Sequence, residues 1–231
     1  MTSSGAVPDR ALAPLYGPHL TFWRQRIFQQ TAMAVPSPTS KDDLRHEALR
    51  ARRDYAHSLA PATREALEEA LAEIVLPHLL TARIVGGYHP MRDEISPLPL
   101  LARLGEGQRP ALPWFVERDS RMLFRDGPAI ERGPWGLLQP SAEAPAAAPD
   151  VLIVPLVLAD RFGTRIGRGQ GHYDRALAHL REAGPIFTIG IGWELQIADV
   201  PLPADAWDVP LDALATPGEW VDCRRMHETR A

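Results

Sequence analysis

The spacing of apolar residues divides the chain at about Ser40. Before that point prolines at 8, 14, 18, 36 and 38 interrupt every run, and only Leu20 to Met33, with Phe22, Trp23, Ile27 and Phe28, predicts a short helix. Residues 1–39 read as a partly irregular N-terminal extension and 40–231 as a single domain. From Ser40 the pattern is regular. Leu44, Ala48, Leu49 and Ala51 recur at helical spacing and predict a helix to about Ser58, with Ser40 as its N-cap and Asp42 and Asp43 in its first turn. Pro61 breaks it, and Ala62 to Leu76 predicts a second helix with Leu67, Leu71, Ile74 and Val75 inward. Strands are expected over Ala82 to Tyr88, Pro110 to Phe115, Arg121 to Arg125, Val151 to Leu158 and Phe187 to Ile191, with a last short one over Trp207 to Leu211. Pro99 to Leu104 reads as helix, and Ser141 to Pro149 as an exposed, mobile Ala/Pro loop. Alternating strands and helices predict an α/β fold, a three-layer α/β/α domain with a mostly parallel central sheet, Rossmann-like.

Composition narrows the class. A chain of 231 residues with 45% hydrophobic content can bury one substantial core. A formal charge of −4 argues against a general nucleic-acid binder. The single cysteine, Cys223, excludes an intramolecular disulfide framework and a cysteine-rich zinc site, and fits a reducing cytoplasm. No apolar run is long enough to span a bilayer, and the N-terminus lacks the basic-then-apolar order of a secretory signal. The expectation is a cytoplasmic protein with small-molecule substrates and no nucleic-acid, membrane or obligate protein partner.

The chemistry concentrates in Val151 to Leu177. An apolar strand leads into Gly163, Gly167, Gly169 and Gly171, with Arg165 and Arg168 among them, and a helix follows with Ala176, Leu177 and Leu180 on one face and Gly184-Pro185 as its stop. Glycines let backbone N–H groups approach phosphate oxygens, and the helix N-terminus adds partial positive charge. The loop has neither the Gly-Lys-Ser/Thr ending of a Walker A loop nor the spacing of the dinucleotide fingerprint. Lys41 and Arg45, four apart, share one helix face. Arg52 and Arg53 are further candidates of the same kind, but read first as surface residues.

The run GTRIGRGQGHYDRAL resembles the signature loop of the 5-formyltetrahydrofolate cyclo-ligase family, roughly G-x-R-x-G-x-G-x-G-Y-Y-D. Gly163, Arg165, Gly167, Gly169, Gly171, Tyr173 and Asp174 match it, His172 replaces the first tyrosine, and Gln170 stands where relatives carry lysine or glycine. K-D-D-L-R at 41–45, the segment from Tyr88 to Glu94 and WDVPLDALATP at 207–217 are similar to further family segments, with Trp207 where histidine is common. The resemblance covers roughly Ser40 to Thr216. It implies ATP-dependent conversion of 5-formyltetrahydrofolate to 5,10-methenyltetrahydrofolate with release of ADP and phosphate. ATP would be bound by Lys41, Arg45, Arg165, Gly167, Arg168, Gly169, Gln170, Gly171, His172 and Tyr173. The reduced folate would be bound by Tyr88, His89, Glu94, Arg168 and His172, and Mg²⁺ by Asp174 and Asp212. A glutamate suits the pterin, whose amino and N–H groups form a donor edge. Mg²⁺ prefers one or two carboxylates plus substrate phosphates. From the residues alone, Glu94 and Asp174 also read as first-turn helix charges, Asp93 as a capping residue, and Asp212 as a turn aspartate. Trp114 and Gln196 are candidates to line the site. No nucleophile is evident, as suits a reaction that needs positioning and charge neutralisation. The alternative function is a non-catalytic folate- or nucleotide-binding paralogue. A third reading is a sugar-phosphate isomerase or acyl-transferase of similar build.

Overall fold

A computed structural model gives the architecture and describes residues 40–228; the helix expected at Leu20 to Met33 lies outside them. The first helix, α1 (Lys41–Ser58), opens with a reciprocal cap in which the Ser40 hydroxyl accepts from the Asp43 amide and the Asp43 carboxylate accepts from the Ser40 amide. Its buried stripe is Ala48, Ala51, Arg52, Tyr55 and Ala56. Pro61 is the first residue of α2 (Pro61–Val75), where its missing N–H costs nothing. Then follow β1 (Ile84–Gly86), the short α3 (Leu98–Ala102), β2 (Arg109–Trp114), β3 (Leu123–Arg125) and the pairs β4 (Glu131–Arg132) with β5 (Leu138–Gln139). The second half runs β6 (Ala146–Ala147), β7 (Val151–Pro155), β8 (Leu158–Asp160), β9 (Arg165–Ile166), α4 (His172–Ala183) and β10 (Phe187–Ile191). It ends with β11 (Ile197–Ala198), β12 (Ala213–Ala215), β13 (Trp220–Asp222) and α5 (Cys223–Glu228).

The main sheet has eight strands in the order β13-β12-β10-β7-β1-β2-β3-β6. From β12 to β2 every pair is parallel, and β13, β3 and β6 extend the edges antiparallel. Side chains alternate across this sheet and so build two cores. Val151 and Ile153 join Leu67, Leu71 and Val75 of α2 and Tyr55 of α1 on one face. Leu152 and Val154 join Ala176 and Leu177 of α4 on the other. A parallel strand covered on both faces must be apolar at every position, which is why Val151 to Val154 reads as an unbroken run. The expected three-layer α/β/α build is the one observed.

Three expectations change. The run Val151 to Leu158 is not one strand: Pro155 has no N–H for the ladder, the chain leaves the sheet at Leu156, and Leu158–Asp160 pairs instead in a small sheet with β9 and β11. Trp207 to Leu211 contains Pro210 and forms no strand; the strand begins at Ala213. Ser141 to Pro149 is partly ordered, because Ala146 and Ala147 pair with Arg125 and Phe124 as the outermost strand. An edge strand needs only its backbone, so poor β-propensity did not prevent it.

The turn between β8 and β9 depends on Gly163. Its φ is +83°, and an added Cβ would lie 2.3 Å from the carbonyl oxygen of Leu211, whose amide donates to the Gly163 carbonyl at 3.0 Å. Gly163→Ala should therefore destabilise the fold by roughly 1–3 kcal/mol, read by chemical denaturation, whereas Gly184→Ala, with nothing within 4 Å, should cost far less. Equal losses in the two variants would contradict the close approach.

Candidate functional site

The site lies where open parallel sheets place ligands, beyond the carboxyl ends of the strands. The chain leaves β1 at Gly86 and reaches Glu94 through Tyr88 to Asp93; it leaves β7 at Pro155 and returns as the glycine-rich loop that starts α4. Glu94 is buried, with its side chain 6% exposed. One oxygen accepts from the Met91 amide at 2.9 Å, and the other lies 3.6 Å from Arg52 and 3.6 Å from Arg168. The 88–94 segment and the glycine loop, far apart in sequence, thus meet at one carboxylate.

Arg52 is the residue that the sequence misplaced. It is fully buried rather than on the surface. Nε donates to Asp93 at 2.9 Å, Nη1 donates to the Leu156 carbonyl at 2.8 Å, and Nη2 lies 2.8 Å from the Asp93 carboxylate. The signal was present: 48, 51, 52, 55 and 56 form one helical stripe, and Arg52 is the charged member of it. Neither Asp93 nor Glu94 starts or caps a helix, since α3 begins at Leu98 after Pro97 with no side-chain cap. Arg53 is exposed, as expected.

In the loop, Gly169 and Gly171 take left-handed φ of +88° and +63°. Gly171 is the residue before α4, which has no side-chain cap, so its first-turn N–H groups have no intrahelical partner. Arg45 donates from Nε to the Gly167 carbonyl at 2.7 Å, and its guanidinium carbon would sit 3.4 Å from a Cβ on Gly169. Arg165, with 7% of its side chain exposed, bonds Asp174 at 2.5 Å, and its Nε has no hydrogen-bond partner among the described residues. Gln170 is exposed and makes no hydrogen bond among the described residues. Lys41 does not reach this loop; it is paired with Asp205 at 2.6 Å and with Asp208. Burial would lower the Lys41 pKa, but the bonds to Asp205 and Asp208 outweigh it and raise it.

The remaining candidates divide. Tyr88 is buried and donates to the Ile95 carbonyl at 2.7 Å, so its hydroxyl is used to fold the segment. Tyr173 stands near the same carboxylate: burial first, then the Glu94 charge, raises the pKa of both phenols. His89 is half-buried and makes no hydrogen bond or ion pair among the described residues. His172 packs edge-on against Phe115 and Trp135, each at 5.2 Å between ring centres. Arg175 donates to its Nδ1 at 3.1 Å. A guanidinium cannot accept, so the neutral ring carries its proton on Nε2, which is buried and unpartnered among the described residues. Gln196 is a clamp rather than a lining residue, buried and bonded to the Leu156 and Val157 carbonyls and the Trp193 amide. Trp114 lies under the Arg125 guanidinium, 4.3 Å from its ring centre. Asp174 and Asp212 are not joined by any contact. Asp212 precedes β12, and its Oδ2 accepts from the amide and hydroxyl of Thr188 at 2.8 and 2.7 Å. Among the described residues no group of three or more His, Cys, Asp or Glu could hold a metal ion.

The fold and this edge define an α/β protein that brings a basic glycine loop against a buried carboxylate. The model of the 5-formyltetrahydrofolate cyclo-ligase family matches residues 37–217, and the chain belongs to that family of enzymes. A 5-formyltetrahydrofolate cyclo-ligase of Mycolicibacterium smegmatis is 32% identical over 195 residues, covering 78% of this chain and 95% of the relative. One from Escherichia coli K12 is 39% identical over 79 residues, 33% of this chain and 42% of the relative. The NMR structure of Aquifex aeolicus 5,10-methenyltetrahydrofolate synthetase superposes with a TM-score of 0.65 at 26% identity, covering 80% of this chain and 93% of that one. Among the described residues no helix is long and apolar enough to cross a membrane.

Asp93 makes the site sensitive to acid. Burial would raise its pKa, but the charge and hydrogen bond of Arg52, with Arg168 beyond, bring it below the ordinary value. A depressed carboxyl contributes stability that is present above its unfolded pKa and lost as pH falls through the folded one. Asp93→Asn should therefore be less stable than the parent near neutrality, and the two should converge below about pH 4. A difference independent of pH, in denaturation followed across that range, would contradict the pairing.

Proposed function

We propose that this protein converts 5-formyltetrahydrofolate to 5,10-methenyltetrahydrofolate with ATP going to ADP and phosphate, in the cytoplasm. The observation that carries the reading is Arg168 of the glycine loop lying 3.6 Å from buried Glu94. That contact puts a phosphate-type loop and a carboxylate suited to a pterin donor edge beside one another, as a reaction between ATP and a folate requires. The unpartnered Arg165 Nε and the uncapped start of α4 offer donors to an anion.

A formamide carbonyl is a weak electrophile, and its oxygen is a poor leaving group. Transfer of the γ-phosphoryl group to the formyl oxygen gives an iminium phosphate. N10 of the same molecule attacks that carbon, and phosphate leaves with the oxygen. Glu94 would fix the pterin through its amino and N–H donors, and Arg168 would face both the folate and the transferring phosphoryl. Arg165, Arg45 and the amides of the loop would take phosphate oxygens. Asp212 precedes β12 and bonds Thr188 near the start of β10, at the opposite end of the parallel strands from the glycine loop, so of the two expected ligands it is Asp174, with one carboxylate oxygen outside every hydrogen bond among the described residues, that would hold Mg²⁺. When bound it would neutralise phosphate charge.

The test is spectroscopic. Methenyl product should form only with ATP and Mg²⁺ together, and Arg168→Ala should lower kcat/KM by one to two orders of magnitude, a loss of about 1.5–3 kcal/mol in charge-assisted contacts. Folate binding without turnover would instead establish the non-catalytic reading.

His172 gives a second expected outcome. Burial, then the Arg175 charge, lowers its pKa, which favours the neutral ring, and its buried Nε2–H has no acceptor among the described residues. Protonation at low pH would set a second cation beside Arg175 and beside a substrate whose activated form is cationic. Rate and substrate affinity should fall as pH drops below the ordinary histidine range, and His172→Tyr should flatten that limb while retaining activity. An unchanged pH profile in His172→Tyr would show that the ring does not reach the reacting centre.

A further inference from the structure

We propose that Trp207 is the surface on which the base of the nucleotide stacks, an inference that rests on the triphosphate reading of the glycine loop. Trp207 is 73% exposed. The other tryptophans of the described residues are packed to a greater degree: Trp193 is buried, Trp114 and Trp220 are half-buried, and Trp135 is 41% exposed. An indole left in water contributes little to the fold and keeps its flat face free to stack.

The placement of Trp207 indicates which one. It sits between Asp205 and Asp208, the two carboxylates that hold Lys41. The Asp208 amide donates to the Asp205 carbonyl at 3.0 Å, and the Asp205 amide donates to the Asp208 carboxylate at 2.8 Å, so the indole stands on a closed turn rather than a slack loop. Lys41 lies one helical turn before Arg45, which bonds the Gly167 carbonyl and packs against Gly169. The first turns of α1 therefore anchor two things at once, the turn that displays Trp207 and the loop assigned to the phosphates. A nucleotide with its phosphates on that loop extends its base away from them, and a flat, exposed π-face fixed to the same helix end is the chemistry that receives a purine ring. Stacking requires no polar match, which suits an indole whose two flanking carboxylates each bind Lys41.

The test separates the base from the phosphates. In full-length protein, inorganic tripolyphosphate is used as a competitor against ATP in the parent, in Trp207→Ala and in Trp207→Phe, and tryptophan fluorescence is followed during ADP titration. We expect the KM for ATP to rise about tenfold in Trp207→Ala, with inhibition by tripolyphosphate kept within about twofold and most of the loss recovered in Trp207→Phe. ADP should quench the parent's fluorescence more than that of Trp207→Phe. ATP affinity equal to the parent's in Trp207→Ala, with tripolyphosphate still competing, would overturn the stacking role and leave the phosphate reading intact. Parallel weakening of ATP and tripolyphosphate would also overturn it, because Trp207 would then act by positioning Lys41. Failure of tripolyphosphate to compete with ATP in the parent would overturn the phosphate reading itself. The side chain buries almost nothing, so both variants should fold.

Discussion

A guanidinium withdrawn from water must be met by charge and by acceptors, and at Arg52 the two come from different parts of the fold. Asp93 and Glu94 supply the charge from the segment after β1, and the Leu156 carbonyl supplies an acceptor from the end of β7. The same carbonyl accepts from Gln196, which follows β10. One buried cation on α1 thus ties together the exits of three adjacent parallel strands. Without it, two carboxylates would stand close together at a dry sheet edge, and one of them would take up a proton. With it, Glu94 is held facing Arg168 of the glycine loop, so the electrostatics of this sheet edge are set by a fully buried residue.

This arrangement gives α1 an unusual share of the work. Its start holds the glycine loop through Arg45 and the 205–208 turn through Lys41; its middle holds the carboxylates through Arg52. The glycine loop, the 205–208 turn and the carboxylate segment are therefore fixed to one rigid rod. The arginines of the site are also differently committed. Arg52 is fully buried with Nε and Nη1 hydrogen-bonded to protein, Arg165 is half engaged with Asp174, and Arg168 is 40% exposed and only loosely paired. Of the three, Arg168 has the weakest protein partners, at 3.6 and 3.9 Å.

Legibility in the sequence followed the range of the interaction. The glycine loop and α4 were readable because the signal is local, a strand, a turn that needs left-handed residues, and a helix start within some twenty positions. The three-layer build was readable in Val151 to Val154, since only burial on both faces gives four apolar residues in a row. The same run misled at Pro155, where an apolar sequence continues but the ladder cannot. Arg52 was hidden in the string RARRD, which reads as a solvated face, because its partners are 41 and 104 residues away. Trp207 to Leu211 looked like a strand until the salt bridges from Lys41, again far off in sequence, drew it into a turn. The family resemblance was legible from four short segments, and the match over residues 37–217 bears it out.

The dependence on Arg52 is open to direct measurement by denaturant unfolding of Arg52→Met, alone and combined with Asp93→Asn and Glu94→Gln. Removing the cation alone leaves buried carboxylates uncompensated, and should cost about 3–5 kcal/mol. Neutralising both carboxylates in the same chain should return a substantial part of that loss, since the charge that required the guanidinium is gone. A loss under about 1 kcal/mol in Arg52→Met, or losses that simply add in the triple variant, would contradict the account.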